Sequence, residues 1–212
     1  MSPTGRVARA LGTPGAPQRC PRPQRGFSVA ELLVALTIIG MIAGIGAYVI
    51  NTGGWRDSAA VSELARRMEH ARSRAVLDGN DWIVTFNVAS ASYTILDDDN
   101  SDGDYDQAIG ESQWTYPLAA SASGTVFGYP DSVQGIDGTS LDDAVTFAGD
   151  QVTFRPLGTA DNGVAYIVTA NDIRAGDPQY MRALVVNAAT GRIRRWRYEA
   201  GANNPGPWRL ER

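Results

Sequence analysis

Residues 27–50 read FSVAELLVALTIIGMIAGIGAYVI, and this stretch decides how the chain is organised. The nineteen residues from 32 to 50 are uncharged, and a helix of that length spans roughly 29 Å, close to the hydrocarbon thickness of a bilayer. Residues 1–26 carry five Arg and no acid. Because positive flanks stay in the cytoplasm, we predict a single membrane-spanning segment over 27–54, with a cytoplasmic N-terminus.

Two ordinary explanations of this segment are a secretory signal peptide and a signal anchor. The apolar run is long for a cleaved signal peptide, and no convincing A-x-A site follows it. Glu31 fits neither explanation, because a carboxylate at the start of a membrane helix is costly unless it finds a partner.

The arrangement around Glu31 resembles the processing signature of type IV prepilins and type II secretion pseudopilins. Its parts are a basic leader ending in Gly26, then Phe27, three residues, Glu31 and a long apolar helix. The resemblance implies that a prepilin peptidase cuts after Gly26 and methylates the amine of Phe27. It also implies that Phe27 and Glu31 serve filament assembly, where the ammonium of a neighbouring subunit neutralises Glu31. Residues 1–26, with Cys20, are then a removed leader.

The polar composition argues against an enzyme. All 19 basic residues are Arg, so Schiff-base and P-loop lysine chemistry is excluded. His70 is the only His and Cys20 the only Cys, which leaves little room for a His-based or thiolate site. We expect no catalytic residue and no required cofactor, and we interpret His70 as an ordinary helix residue.

The periodicity after Gly54 changes from helical to strand-like. An apolar stripe at spacings of three and four predicts a helix to about Leu77 that packs on a sheet; its members are Val61, Leu64, Met68, Ala71 and Ala75. A period of two then predicts strands over 82–88, 93–96, 125–129, 152–155, 164–169, 181–187 and 192–198. We therefore predict an α+β, pilin-like fold, in which a long N-terminal helix, transmembrane and then amphipathic, packs on an antiparallel β-sheet head of residues 55–212.

Two turns in the C-terminal half indicate which group of pilins or pseudopilins the chain resembles. Phe154-Arg155-Pro156-Leu157-Gly158 and Thr190-Gly191-Arg192 resemble the F-x-P-x-G turn and the T-G-R hairpin of GspH/FimT-type minor pseudopilins. The resemblance implies a subunit of a type II secretion pseudopilus or a type IV pilus, in the bacterial inner membrane with a periplasmic head. Its implied partners are other pilins or pseudopilins, the prepilin peptidase and the assembly platform.

The acidic run of residues 97–106 has the spacing of a calcium-binding loop. Counted from Asp98, oxygen-bearing side chains stand at positions 1, 3, 5, 7 and 9, with Gly103 at position 6, as at the start of an EF-hand loop. Position 12 is Ile109, and the nearest Glu lies two residues later. A solvated acidic loop is the alternative to a structural Ca²⁺ site; the candidate ligands are Asp98, Asn100, Asp102, Asp104, Asp106 and Glu111.

Five Arg residues near the C-terminus form a second candidate site. Exposed guanidinium groups on a strand beside an aromatic residue could hold phosphates and stack on bases, and Gly-Arg-x-Arg resembles a motif of DNA-binding members of this family. The alternative function is therefore a pilus-associated DNA receptor for DNA uptake. Against it, residues 78–177 carry seventeen acids and two Arg, and exposed strand Arg can simply keep an edge soluble. The candidate residues are Arg182, Arg192, Arg194, Arg195 and Arg197.

Overall fold

The computed structural model describes residues 28–49, 53–118, 124–131, 133–201 and 207–211. The chain divides into two compact units, residues 1–50 and 51–212. The helices are α1 (Val29–Val49), α2 (Gly53–Asp78) and α3 (Ala170–Ala175). The strands are β1 (Asp81–Asn87), β2 (Ser92–Asp98), β3 (Ser112–Pro117), β4 (Thr125–Phe127), β5 (Gln151–Phe154), β6 (Gly163–Thr169), β7 (Arg182–Val186), β8 (Ile193–Tyr198) and β9 (Trp208–Leu210).

Helix α1 is the described element of the first unit. Ser28 begins it, because its Oγ accepts the backbone N–H of Ala30 at 3.3 Å and its carbonyl accepts that of Leu32 at 3.1 Å. Every side chain from 28 to 41 is exposed. Across the described ranges, no helix combines the length and the hydropathy that crossing a bilayer requires. The assignment of residues 27–54 as a transmembrane segment stays a prediction.

Helix α2 carries the predicted stripe, which is fully buried. Val61, Leu64, Met68, Ala71 and Ala75 are each no more than 1% exposed. On the polar side of the helix, charged residues four positions apart form ion pairs. Arg67 pairs with Glu63 at 2.7 Å, and Arg74 pairs with Asp78 at 2.9 Å. The predicted amphipathic helix and its end near Leu77 are confirmed.

Two antiparallel sheets surround this stripe. The four-stranded sheet has the order β3-β2-β1-β5, and the five-stranded sheet has the order β4-β6-β7-β8-β9. Helix α2 contacts strands of both sheets. The main core therefore joins the α2 stripe to inward residues of both sheets, among them Val84 and Leu184.

The five-stranded sheet is apolar on both faces. Alternate residues of β6 point in opposite directions: Ala165 and Ile167 belong to the main core, whereas Tyr166 and Val168 belong to a second cluster with Trp208. The indole Nε1 of Trp208 donates to the carbonyl of Gln134 at 2.9 Å and ties the C-terminal strand to the 133–141 loop.

The α+β class is confirmed, and the structure refines the predicted single sheet into two. All seven predicted strands exist, and each of their ends lies within two residues of its predicted position. Strands β3 and β9 and the one-turn helix α3 were missed. Strand β3 is mostly exposed and ends in Pro117, β9 has three residues, and α3 has six, so none shows a clear apolar period.

Candidate functional site

The N-terminal end of α1 is the first candidate site. Gly26 and Phe27, the predicted processing residues, and the leader 1–26 lie outside the described residues. Glu31 lies in the first turn of α1, where the unpaired N–H groups of a helix favour a negative charge. The apolar side chains beyond it point to all sides and remain exposed, for example Leu33 at 60% and Met41 at 74%. This helix presents an apolar surface with a single acidic group at its start.

The two turns that resemble GspH/FimT proteins contact each other. Gly158 and Gly191 both have positive φ, +77° and +59°. A Cβ on Gly191 would lie 2.7 Å from the carbonyl oxygen of Gly158 and 3.0 Å from Nε of Arg72 in α2. Gly191 is therefore required by both its backbone conformation and the close approach. The backbone N–H of Ala160 donates to the carbonyl of Ala188 at 2.9 Å and joins the same two segments.

Three of the five C-terminal Arg residues have partners within the chain. Arg182 pairs with Glu211 (2.8 Å, both side chains largely buried), and Arg197 pairs with Glu199. Nη1 of Arg195 donates to Oγ of Ser62 in α2 at 2.9 Å. These contacts hold the C-terminal strands together and against α2. The three guanidinium groups therefore stabilise the fold of the chain itself.

Arg192 and Arg194 lie together in a surface groove. In β8, Arg194 and Trp196 share a face, and with Arg192 they line a groove of about 600 Å³. Arg72 and Glu69 of α2 line the same groove and pair with each other at 3.4 Å. The structure thus brings together two of the five candidate Arg residues and adds a carboxylate beside them. Their binding to DNA stays a prediction.

The acidic loop between β2 and β3 is ordered by its own side chains. Asp98 and Glu111 are buried, at 1% and 4% exposure. Oδ2 of Asp98 accepts the N–H of Gly103 at 2.9 Å, and the two oxygens of Glu111 accept the N–H groups of Asp99 and Asp106 at 3.1 and 2.7 Å. Among the described residues, no three His, Cys, Asp or Glu side chains are placed as a group that could hold a metal ion.

A cleft between α2 and the four-stranded sheet was not predicted. It encloses about 360 Å³ and is lined by Arg66, Arg67, His70, Trp82, Ile95, Trp114 and Tyr116. The indoles of Trp82 and Trp114 stack with centroids 6.0 Å apart, and the guanidinium carbon of Arg67 lies 3.6 Å from the centre of the Tyr116 ring. The sequence signal for it was the pair of aromatic residues in SQWTYP, which we did not assign to a strand.

Burial raises the pKa of several groups in the head. Burial raises the pKa of Tyr93, which lies beneath Arg67 and Glu63, to about 12. Burial also raises the pKa of Asp97, against the lowering effect of its hydrogen bond from Asn80. The pKa of Asp81 is raised by burial, with the charge of Asp98 adding to the effect.

Two family models match the chain. The model described as type II transport protein GspH matches residues 60–190. The model of the prokaryotic N-terminal methylation motif matches residues 21–47. The first match includes most of α2, the four-stranded sheet, strands β4, β6 and β7 and the turn at residues 154–158, and it ends at Thr190, before β8 and β9. The second match includes Gly26, Phe27 and Glu31. No match was found among the curated proteins.

Two solved structures are also similar to the chain, and both are of the minor pseudopilin EpsH from the type II secretion system of Vibrio cholerae. One is 12% identical, with 74% of this chain and 96% of that chain covered and a TM-score of 0.38. The other is 14% identical, with 73% and 94% covered and a TM-score of 0.34. Both similarities are low, and the conclusions below rest on the family models.

Proposed function

The chain belongs to the GspH family of type II transport proteins. We propose that it is a minor pseudopilin, made as a precursor, cut after Gly26 and assembled through its N-terminal helix. Pseudopilins are structural components, and the family implies contact with other pseudopilins of the secretion machinery. The N-terminal methylation motif implies membrane anchoring of the pseudopilus subunit. The steps of processing, topology and assembly are our proposal.

A single observation carries this proposal: the methylation motif coincides with a helix whose apolar side chains are uncovered. Residues 21–47 match the motif, and every side chain from 28 to 41 is exposed. A helix that is apolar on all sides is stable only when lipid or other helices cover it. We propose that lipid covers α1 before assembly and that neighbouring pseudopilin helices cover it in the filament.

Glu31 has a distinct role in this scheme. It is the only charged residue from 27 to 50. An apolar helix surface alone tolerates many axial positions, whereas a buried carboxylate is stable only where a positive partner meets it. The amine of Phe27 on a neighbouring subunit would supply that partner after cleavage. Glu31 would thus fix the axial register of the incoming subunit.

The charge distribution supports the proposed topology. Residues 1–26 carry five Arg and no acid, which favours retention in the cytoplasm beside the inner membrane. Residues 55–212 would then be the periplasmic head. The proposed partners are the prepilin peptidase on the cytoplasmic side, the assembly platform in the membrane, and other pseudopilins.

The first experiment tests cleavage. Gly26→Leu should block processing, because the bulky side chain would occupy the position next to the cut bond. Gly15→Leu, within the leader, is the matched control and should be processed normally. Intact-mass measurement of protein from cells with the secretion system would show the full-length precursor for Gly26→Leu. Normal removal of residues 1–26 from that variant would contradict the proposal.

A second experiment separates assembly from processing. Glu31→Leu should still be cut after Gly26, yet its recovery in sheared pseudopilus fractions should fall at least tenfold. Thr37→Val changes another exposed polar residue of α1, whose Oγ1 donates to the carbonyl of Val34 at 2.8 Å, and should be recovered like the unmodified protein. Normal recovery of Glu31→Leu would remove Glu31 from the mechanism.

DNA uptake is not part of the proposal. The comparisons give this alternative no support. Of its five Arg residues, Arg182, Arg195 and Arg197 have partners within the chain, and only the remaining two share a groove.

A further inference from the structure

We propose that the loop of residues 98–111, between β2 and β3, binds one Ca²⁺ ion. This proposal is independent of the processing and assembly scheme above, because it concerns only the head. The family models that match the chain assign nothing to this loop.

The first observation is the spacing of oxygen donors. Asp98, Asn100 and Asp102 stand at positions 1, 3 and 5, and Gly103 at position 6 has φ +86°. In a calcium loop of this kind, alternate side chains point inward and position 7 contributes its backbone carbonyl. Asp104, at position 7, would therefore bind through its main chain and Asp106, at position 9, through its side chain or a water molecule.

The second observation is independent of spacing: a buried carboxylate oxygen lacks a partner. Asp98 is 1% exposed, and its Oδ1 makes no hydrogen bond within the described structure. Its other oxygen accepts the N–H of Gly103, so the carboxylate faces the loop. An unpaired buried charge is strongly unfavourable. A cation within the loop would satisfy this oxygen.

Glu111 replaces the missing acid at position 12. The short 3₁₀ turn at Gln107–Ile109 and Gly110, at φ +98°, bring Glu111 back to the loop despite the two additional residues. Its carboxylate, 4% exposed, accepts one N–H from each end of the loop, at Asp99 and Asp106. Each carboxylate oxygen has a second lone pair, which remains available to an ion.

Among the described residues, no three acidic, His or Cys side chains stand as a group that could hold a metal ion, so binding requires the carboxylates of Asp98, Asp102 and Glu111 to move towards one another. Asn100 would add an amide oxygen and Asp104 a backbone carbonyl to this set. A set made only of oxygens, with the irregular geometry of a loop, suits Ca²⁺ better than a transition metal or Mg²⁺.

Electrostatics favour the same occupant. Six Asp side chains occupy residues 97–106 with no basic residue among them. Their mutual repulsion is reduced by a divalent cation.

The test is calcium titration of the full chain in detergent micelles after removal of metal with a chelator. Isothermal titration calorimetry should show one Ca²⁺ per chain with a dissociation constant of about 10⁻⁵ to 10⁻³ M, and Ca²⁺ should raise the melting temperature. Asp102→Ala, at an exposed ligand position, should weaken binding at least tenfold. Asp104→Ala is the matched control, because it removes the same charge from the same loop but keeps the backbone carbonyl; we expect less than a threefold change.

Asp98→Asn should also abolish binding, and circular dichroism would show whether that buried variant still folds. Whether or not Asp98→Asn folds, the variants at the exposed residues Asp102 and Asp104 test the proposed calcium site. No saturable binding up to about 10 mM Ca²⁺, far above the range of such sites, would overturn the proposal. Equal losses of Ca²⁺ affinity in Asp102→Ala and Asp104→Ala would overturn the proposal too. They would show that the acidic loop attracts Ca²⁺ through its overall charge and not through a defined set of ligands.

Discussion

Helices α1 and α2 differ in what covers their apolar side chains. In α2 the stripe from Val61 to Ala75 is buried against two sheets of the same chain. In α1 every side chain described, from 28 to 41, is exposed. The two helices have similar lengths, 21 and 26 residues. Apolar surface in α2 therefore stabilises the head, whereas apolar surface in α1 is available to lipid and to other subunits.

This contrast separates folding from assembly along the chain. Substitutions in the α2 stripe should change the free energy of unfolding and leave the assembly surface intact. Substitutions in the exposed part of α1 should do the opposite. The predictions below test that separation.

The largest effect is expected from truncating the α2 stripe. Leu64→Ala should lower the free energy of unfolding by about 2–5 kcal/mol, because it removes buried methyl groups and leaves a cavity; Leu64 is fully buried. Leu36→Ala in α1, where the side chain is 56% exposed, should change it by less than about 0.5 kcal/mol. Urea unfolding of both variants in micelles, followed by tryptophan fluorescence, measures the difference. Equal losses of unfolding free energy in the two variants would contradict the proposed difference between α1 and α2.

A smaller effect is expected where α2 meets the two family turns. Gly191→Ala should cost about 1–3 kcal/mol, since the new Cβ would clash with the carbonyl of Gly158 and with Arg72. Gly176→Ala is the matched control, because its φ is also positive (+66°) but nothing lies within 4 Å of the added carbon. Chemical denaturation should give the larger loss for Gly191→Ala. A loss no greater than that of Gly176→Ala would mean that the turn relaxes freely.

The smallest effect is a loss of stability of the head at alkaline pH. The pKa of Tyr93 is raised by burial to about 12, above its ordinary value near 10. The unfolded state therefore loses this proton first, so the stability that the neutral phenol contributes is present below pH 10 and decreases as the pH rises towards 12. Between pH 10 and 11 the loss should be about 1 kcal/mol.

Tyr93→Phe should reduce this loss, and pH-dependent urea unfolding measures it. The buried Tyr166, whose pKa is also raised by burial, would account for a remaining slope. Tyr105→Phe, in the exposed part of the acidic loop, is the control. An unchanged slope in Tyr93→Phe would contradict the effect of burial on this residue.

Much of the fold could be predicted from sequence because its elements have strong periods. The α2 stripe has five apolar residues at helical spacing, and β1 is an apolar, β-branched and aromatic run in which Trp82, Val84 and Phe86 are buried on one face and Ile83 on the other. The division into two sheets could not be predicted, because β1 pairs not only with its neighbour β2 but also with β5, about seventy residues later in the chain. Pairing over such separations depends on tertiary packing that local patterns do not contain.

The candidate sites were predicted unevenly for a similar reason. The processing motif is a contiguous sequence, and a family model matches it. The partners of Arg182 and Arg195, by contrast, lie 29 and 133 residues away. The sequence therefore did not distinguish exposed Arg residues from those that have a partner within the chain. The aromatic cleft was missed because its residues come from α2, β1, β2 and β3, and no local pattern joins them.

The pairing of β1 with β5 also has a consequence for the timing of folding. The register joins Trp82 to Phe154, and the α2 stripe has to meet β7 and β8, more than a hundred residues later. Contacts over such sequence separations slow folding, because long loops have to close before the contacts form. The head therefore cannot complete its core until almost the whole chain has been synthesised and, if the head is periplasmic, translocated.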